Sequence, residues 1–90
     1  MLAIAEPWAD GLLRGTIYRF PNEGDVVPMH EHDERTNHLT FVLHGKIKVT
    51  GMGWSAEYSS GDLISFEVGQ LHEISAAFAT TVILNIVKGA

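Results

Sequence analysis

Apolar and polar residues alternate along most of this chain in short runs that turn-forming residues separate. Residues two apart share a face of a strand, whereas the apolar face of a helix repeats every three or four residues. The runs therefore predict strands, and helix signals are nearly absent. The predicted strands cover residues 12–20, 26–32, 38–44, 46–50, 54–58, 63–66, 71–75 and 80–87. Ahead of them, Pro7, Asp10 and Gly11 predict a connection over residues 6–11.

The segments between the predicted strands hold Gly, Pro, Asn and Ser, which favour turns. Seven or eight short strands with such spacing are typical of a β-sandwich or a closed barrel. A chain of 90 residues has the length of one domain with a modest core. The pattern predicts an all-β fold in a single domain over residues 1–90.

Two of the predicted strands are apolar on both faces. The strand at 38–44 has apolar residues at odd and even positions, and the strand at 80–87 is interrupted only by Asn85. If His38 points inward, three large residues of its strand point outward. These are Leu39, Phe41 and Leu43. So small a barrel cannot bury both faces by itself, so we expect a homodimer, the alternative being a monomer whose apolar strands fold wholly into the core.

Charge and cysteine content narrow the class of protein further. The formal charge of −5 and the lack of Lys and Arg clusters argue against nucleic acid and anionic membrane surfaces as partners. The chain has no cysteine, so any metal must be held by nitrogen and oxygen ligands. The first residues lack a basic region and soon reach Glu6 and Pro7, so we expect neither a signal peptide nor a membrane span, and a cytoplasmic location.

Four of the five histidines are spaced as metal ligands on β-structure. His30 and His32 are two residues apart, which places both on one face of an extended chain. His38 opens the next predicted strand, and His72 lies in a later one. Neutral imidazole is the commonest protein metal ligand and suits transition metals better than magnesium or calcium. The four histidines therefore predict one divalent transition-metal ion per chain: Fe, Mn, Ni, Cu or Zn.

Other polar residues near these histidines are interpreted as bystanders. Glu31 and Glu73 alternate with the ligand positions and should point away from them. Arg35 lies in a polar run and is interpreted as a solvated loop residue rather than a substrate contact. His44 is interpreted as an ordinary residue without a role in metal binding.

The spacing of glycines and histidines resembles the paired sequence motifs of the cupin family. The first motif is similar to the set Gly24, His30, His32, His38 and Gly45. The second is similar to the set Gly61, Gly69 and His72. Together they cover about residues 24–76, and the pair is more specific than either motif alone. The resemblance implies a double-stranded β-helix, the jelly-roll barrel of cupins, with the metal at His30, His32, His38 and His72.

Three positions depart from the family pattern. The glutamate of the first motif aligns with His38, one residue beyond the common spacing, which changes the ligand set to four histidines. The usual proline of the second motif is Glu67, and the usual asparagine after its last histidine is Ala76.

Four neutral imidazoles leave the ion its full positive charge, so we expect a stronger Lewis acid than a set with one carboxylate.

The resemblance implies a metalloenzyme acting on a small molecule, with dioxygenase-like oxidation first and isomerase or lyase chemistry next. No catalytic base is obvious, which leaves Tyr18, Tyr58 or a metal-bound hydroxide. Trp54 shares a face with Tyr58, and both are interpreted as core residues. Two alternatives stay open: a module that binds a metal or small ligand without catalysis, and a structural metal that ties two sheets together.

Overall fold

The structure is a computed structural model that describes residues 1–11, 13–30, 38–65 and 71–88, without the side chains at 29, 30, 38, 87 and 88. The described residues form strands and turns and contain no helix, so the all-β prediction is confirmed. The part described holds no helix that is long and apolar enough to cross a membrane. The strands are β1(Ile4–Asp10), β2(Leu13–Phe20), β3(Val26–His30), β4(His38–His44), β5(Lys46–Gly51), β6(Trp54–Ser59), β7(Leu63–Ser65), β8(His72–Ala76) and β9(Thr81–Lys88).

The strands form two sheets whose inner faces enclose the core. One sheet has the strand order β1-β2-β9-β4-β7 and the other has the order β3-β8-β5-β6. All neighbouring strands are antiparallel. Consecutive strands repeatedly change sheet, which is the jelly-roll topology, and the prediction of a double-stranded β-helix is confirmed. The buried apolar side chains are Phe20, Val27, Val42, Ile47, Val49, Ile64, Ile74, Ala76 and Ile83.

The first strand corrects the prediction of a connection over residues 6–11, which was wrong. β1 pairs with β2 from Ile4 to Asp10. It is an edge strand, where a proline such as Pro7 is tolerated because one row of backbone groups has no strand to bond. An ion pair between Glu6 and Arg19 crosses the two strands, with Oε1 and Nε 2.8 Å apart. Pro7 and Asp10, which predicted a turn, therefore lie within an edge strand.

Gly45 carries the chain from one sheet to the other between β4 and β5. Its φ is +86°, in the left-handed region that favours glycine, and a Cβ there would collide with Thr81. The turn at 77–80 lies beside it, because Ala77 N donates to Lys46 O at 2.8 Å. These two turns mark one end of the barrel, here called the turn end.

The opposite end of the barrel, here called the histidine end, is defined by strand direction. β8 runs from His72 to Ala76, which pairs with Ile47 at the turn end, so His72 lies at the other end of its strand. β4 runs from His38 to the turn at Gly45, so His38 also begins far from that turn. The fold therefore places the starts of β4 and β8 at the same end.

Candidate metal centre

A row of four paired positions crosses the smaller sheet at the histidine end. His30 in β3 pairs with His72 in β8, His72 pairs with Gly51 in β5, and Gly51 pairs with Trp54 in β6. The His72 side chain is 1% exposed and belongs to the inner face. Directly opposite residues share a face, and their Cα atoms lie roughly 4.5–5.5 Å apart. Positions 30 and 72 are therefore close enough to serve one ion.

A register shift brings position 30 onto this face. Val27 is buried and pairs with Ile74, and regular alternation would place a residue three positions later on the opposite face. The register shifts between Val27 and His30, as in a β-bulge, so that His30 pairs with the inward His72. One extra residue in β3 thus brings the two histidine positions opposite each other.

His38 opens β4 and pairs with Val87 in β9. Thr40 and Val42, two and four residues further on, are fully buried between the sheets. By the twofold period of a strand, position 38 belongs to the same inner face of the larger sheet. The backbone therefore sets position 38 on the wall that faces the row of His30 and His72.

Of the four predicted ligands, only the side chain of His72 belongs to the part that the structure describes. His32 lies outside the described residues. Among the described side chains, no three of His, Asp or Glu come together as a metal site. The set of His30, His32, His38 and His72 stays a prediction, now with a backbone arrangement for three of its positions.

The polar residues interpreted as bystanders can be placed in part. His44 is exposed at the turn end, where its Nδ1 donates to the carbonyl of Thr80 at 3.0 Å. Glu73 lies between the buried His72 and Ile74 and belongs to the outer face of β8, as predicted. Glu31 and Arg35 lie outside the described residues. His44 and Glu73, the two bystanders that the structure describes, therefore do not contribute side chains to the inner face at the histidine end.

Trp54 completes the row and covers Gly51. It packs against the core, as predicted. A Cβ at Gly51 would collide with the Nε1 edge of the Trp54 indole, so the ring lies where a side chain at position 51 would be. Because Gly51 stands between Trp54 and His72 in the row, the indole lies over the strand next to the one that carries His72. A glycine and an aromatic residue on either side of a two-residue turn, as Gly51 and Trp54 are here, would have been the sequence signal for this contact.

Replacing Gly51 with Ala should lower the free energy of unfolding by about 1–3 kcal/mol, because the new methyl group overpacks the space that the Trp54 indole fills. Urea denaturation followed by tryptophan fluorescence measures the change. In a Trp54→Ala background the same substitution should cost much less, since the colliding ring is gone. An equal cost in both backgrounds would contradict the contact.

A second row, of polar residues, crosses the larger sheet one step inside position 38. Asn85 in β9 pairs with Thr40 in β4 and with Thr16 in β2. The Thr40 hydroxyl donates to the Asn85 side-chain oxygen, and both residues are buried, at 0% and 4% exposure. The sequence marked Asn85 as the polar interruption of an apolar strand but did not indicate its partner.

A cavity of about 360 Å³ lies at the β1–β2 edge. Its lining residues are Pro7, Trp8, Ala9, Arg14 and Gly15. Arg14 pairs with Val87, which pairs in turn with His38, so the three positions form the rim of the larger sheet at the histidine end. In the described part of the chain Arg14 has no ion pair, whereas Arg19 is held by Glu6. The cavity therefore offers a guanidinium at the same end as the histidines.

Comparison with known proteins agrees with the fold. The family model described as Cupin domain matches residues 16–87. KdgF from Halomonas sp. is 21% identical, with a TM-score of 0.80 over 96% of this chain and 77% of that chain. A cupin superfamily protein from Desulfitobacterium hafniense is 16% identical, with a TM-score of 0.81 over 98% and 78%. An RmlC-like cupin from Desulfovibrio desulfuricans is 18% identical, with a TM-score of 0.81 over 99% and 85%. No curated protein matches.

Proposed function

This chain belongs to the cupin family, and on that premise we propose that it holds one divalent transition-metal ion per chain at His30, His32, His38 and His72. The observation that carries the proposal is the pairing of His30 with the buried His72, achieved through a register shift. A β-bulge that re-aims a residue is typical of functional sites. Fe, Mn, Ni, Cu and Zn all accept imidazole nitrogen.

The residues present fit such an ion. Position 38 and the row of His30 and His72 lie at the same end of the barrel, and the next inward residue of β8 after His72 is the buried, apolar Ile74. A bound divalent ion supplies Lewis acidity and open positions for a small chelating molecule. With four neutral imidazoles and no carboxylate in the set, its charge stays uncompensated and attracts anionic groups.

We propose further that the protein is a metalloenzyme that acts on a small organic molecule, with dioxygenase-like oxidation first and isomerase or lyase chemistry next. The Arg14 cavity and the buried pair of Thr40 and Asn85 support a small polar substrate, because they add polar groups at or near the histidine end. These groups suit the recognition of a polar substrate more than the needs of a structural metal.

A non-catalytic binding module is the second candidate, and one observation favours it. Among the described residues, the two tyrosines considered as catalytic bases and the carboxylate of Glu73 lie away from the row of His72. Tyr58 pairs with Ile47 near the turn end, and Glu73 faces outward. Tyr18 pairs with Ile83, two rows from position 38. A protein that holds a ligand without proton transfer needs no such group.

A homodimer is the assembly that we propose, because the larger sheet carries an exposed apolar surface. The outer patch, as we call it, consists of Leu39, Phe41, Leu43 and Leu63. Phe41 pairs with Leu63 in β7 and with Leu84 in β9, so the apolar residues adjoin across strands. A second copy of the chain would cover the outer patch through a twofold contact.

Titration of metal-stripped protein with Ni²⁺, Co²⁺ or Zn²⁺ by calorimetry tests the metal centre. We expect one ion per chain at pH 7.5. The affinity should fall as the pH drops through about 6.5, by up to roughly tenfold per imidazole at pH 5.5, because protons compete for the same nitrogen lone pairs. Absence of binding, or an affinity that does not change between these pH values, contradicts a site built from histidines.

A further inference from the structure

Two of the buried polar side chains in the described core have a clear structural task. Asp25 accepts from Asn22 N at 2.9 Å, and Thr81 donates to Phe78 O at 2.9 Å, so both secure turns between strands. Thr40 and Asn85 differ, because they lie within β4 and β9 and belong to the inner face of the larger sheet. Neither turn geometry nor a helix end calls for polar groups there.

The amide of Asn85 uses only part of its hydrogen-bonding capacity. A side-chain amide offers two N–H donors and two acceptor lone pairs. Within the described part of the chain, the hydroxyl of Thr40 is its one partner. Exchanging the amide oxygen and nitrogen changes which end bonds to Thr40, and the other end still has no partner among the described residues. Buried polar side-chain atoms usually bond to protein or to an ordered water, so an amide end that the described residues leave unbonded calls for a further partner.

The position of the pair relates it to the metal centre. Thr40 is two residues from position 38, which corresponds to about 7 Å along a strand. Asn85 lies directly opposite Thr40 and therefore diagonally opposite position 38, at about 7–8 Å between Cα atoms. A molecule of a few heavy atoms bound to the ion would span this gap. Arg14, at the rim in the row of His38, adds a positive charge.

We propose that the Asn85 amide, held in place by Thr40, orients the molecule that binds the metal, and that this molecule is a small hydroxy acid. One end chelates the ion, and a second polar group, two to four bonds away, bonds to the amide. Arg14 favours the acid over a neutral analogue. This inference rests on the proposed metal centre.

Two probe acids separate recognition by Asn85 from chelation. Lactate and malate share the chelating 2-hydroxycarboxylate, and malate carries a second carboxylate that reaches the amide. Calorimetry on the Ni²⁺-loaded protein should show malate binding about 10- to 100-fold more tightly than lactate, as expected for a hydrogen bond to a charged group. The variant Thr40→Val/Asn85→Leu should bind both acids with the wild-type affinity for lactate.

Melting temperatures distinguish this role from a purely structural one. Replacing both partners of a buried hydrogen bond by apolar groups of similar shape costs little stability. The metal-free double variant should therefore melt at or above the wild-type temperature. Thr81→Val is the control: it removes a buried hydroxyl at the turn end, so it should lower the melting temperature and leave the malate preference unchanged.

Three results would overturn the inference while leaving a bound metal intact. They are equal affinities of the wild type for the two acids, failure of both acids to bind, and retention of the malate preference in the double variant. If the double variant does not fold, Thr40→Val alone decides, because loss of the hydroxyl should reduce the malate preference severalfold and an unchanged preference refutes the role. A protein that binds no metal refutes the proposed function instead.

Discussion

His72→Ala should abolish the binding of one metal ion per chain, whereas His44→Ala should leave it unchanged. His72 is buried in the middle of the row at the histidine end, and His44 is exposed at the turn end. The loss should exceed the 10- to 100-fold that removal of an outer hydrogen-bond partner typically causes, because a ligand itself is removed. Calorimetry at pH 7.5 measures both variants against the wild type.

The same variants should separate in thermal stability. An ion at 100 times its Kd stabilises the native state by about 2.7 kcal/mol, which corresponds to roughly 10–20 °C in the melting temperature of a domain of this size. We expect this increment for the wild type and for His44→Ala, and none for His72→Ala. Because His72→Ala also leaves a cavity, His72→Gln serves as the variant that preserves more of the buried volume.

Full stoichiometry of metal binding in His72→Gln would remove His72 from the ligand set. The same experiment on His30, His32 and His38 assigns each remaining ligand. A set of three would point to an open coordination shell like that of a catalytic site, and a tightly closed set of four would favour a structural ion.

The alternation of apolar and polar residues was sufficient to predict most of the strands. β4 spans residues 38–44, as the pattern indicated, because its run of apolar residues ends at the turn residue Gly45. β8 and β9 differ from prediction by one residue at each end. Strand period is a local property, so a single sequence carries it without knowledge of the partners.

The prediction failed where position in a sheet outweighs local propensity. β1 contains Pro7 and ends at Asp10, and it is a strand only because β2 offers it an edge. The register shift between Val27 and His30 is equally invisible, since it depends on pairing with β8. Strand parity alone would have placed Val27 and His30 on opposite faces.

For the candidate site, sequence spacing selected the histidines but not their surroundings. Nothing local to Asn85 indicates that it pairs with both Thr40 and Thr16, because these residues are distant in the chain. Likewise, Gly51 meets the Trp54 ring through a hairpin and then His72 through a different strand. Long-range register therefore defines what surrounds the ligands, and it follows from the topology.

Phe41→Glu should convert the protein from a dimer to a monomer at micromolar concentration. Phe41 is 36% exposed and its neighbour Leu63 is 56% exposed, so the centre of the outer patch lacks cover within one chain. A glutamate there would place an unpaired charge in the proposed interface on each of the two copies. Burying such a charge costs about 3–5 kcal/mol, which raises the dimer Kd by two orders of magnitude or more.

Met52→Glu is the matched control for this substitution. Met52 is 72% exposed in the turn between β5 and β6, on the smaller sheet, so the same change of an apolar residue to a charge lies off the outer patch. Light scattering over a dilution series should give a dimer mass for the wild type and for Met52→Glu, and a monomer mass for Phe41→Glu. A wild-type protein that is monomeric at micromolar concentration would show that the outer patch is tolerated in water, and a Phe41→Glu dimer would place the interface on another face.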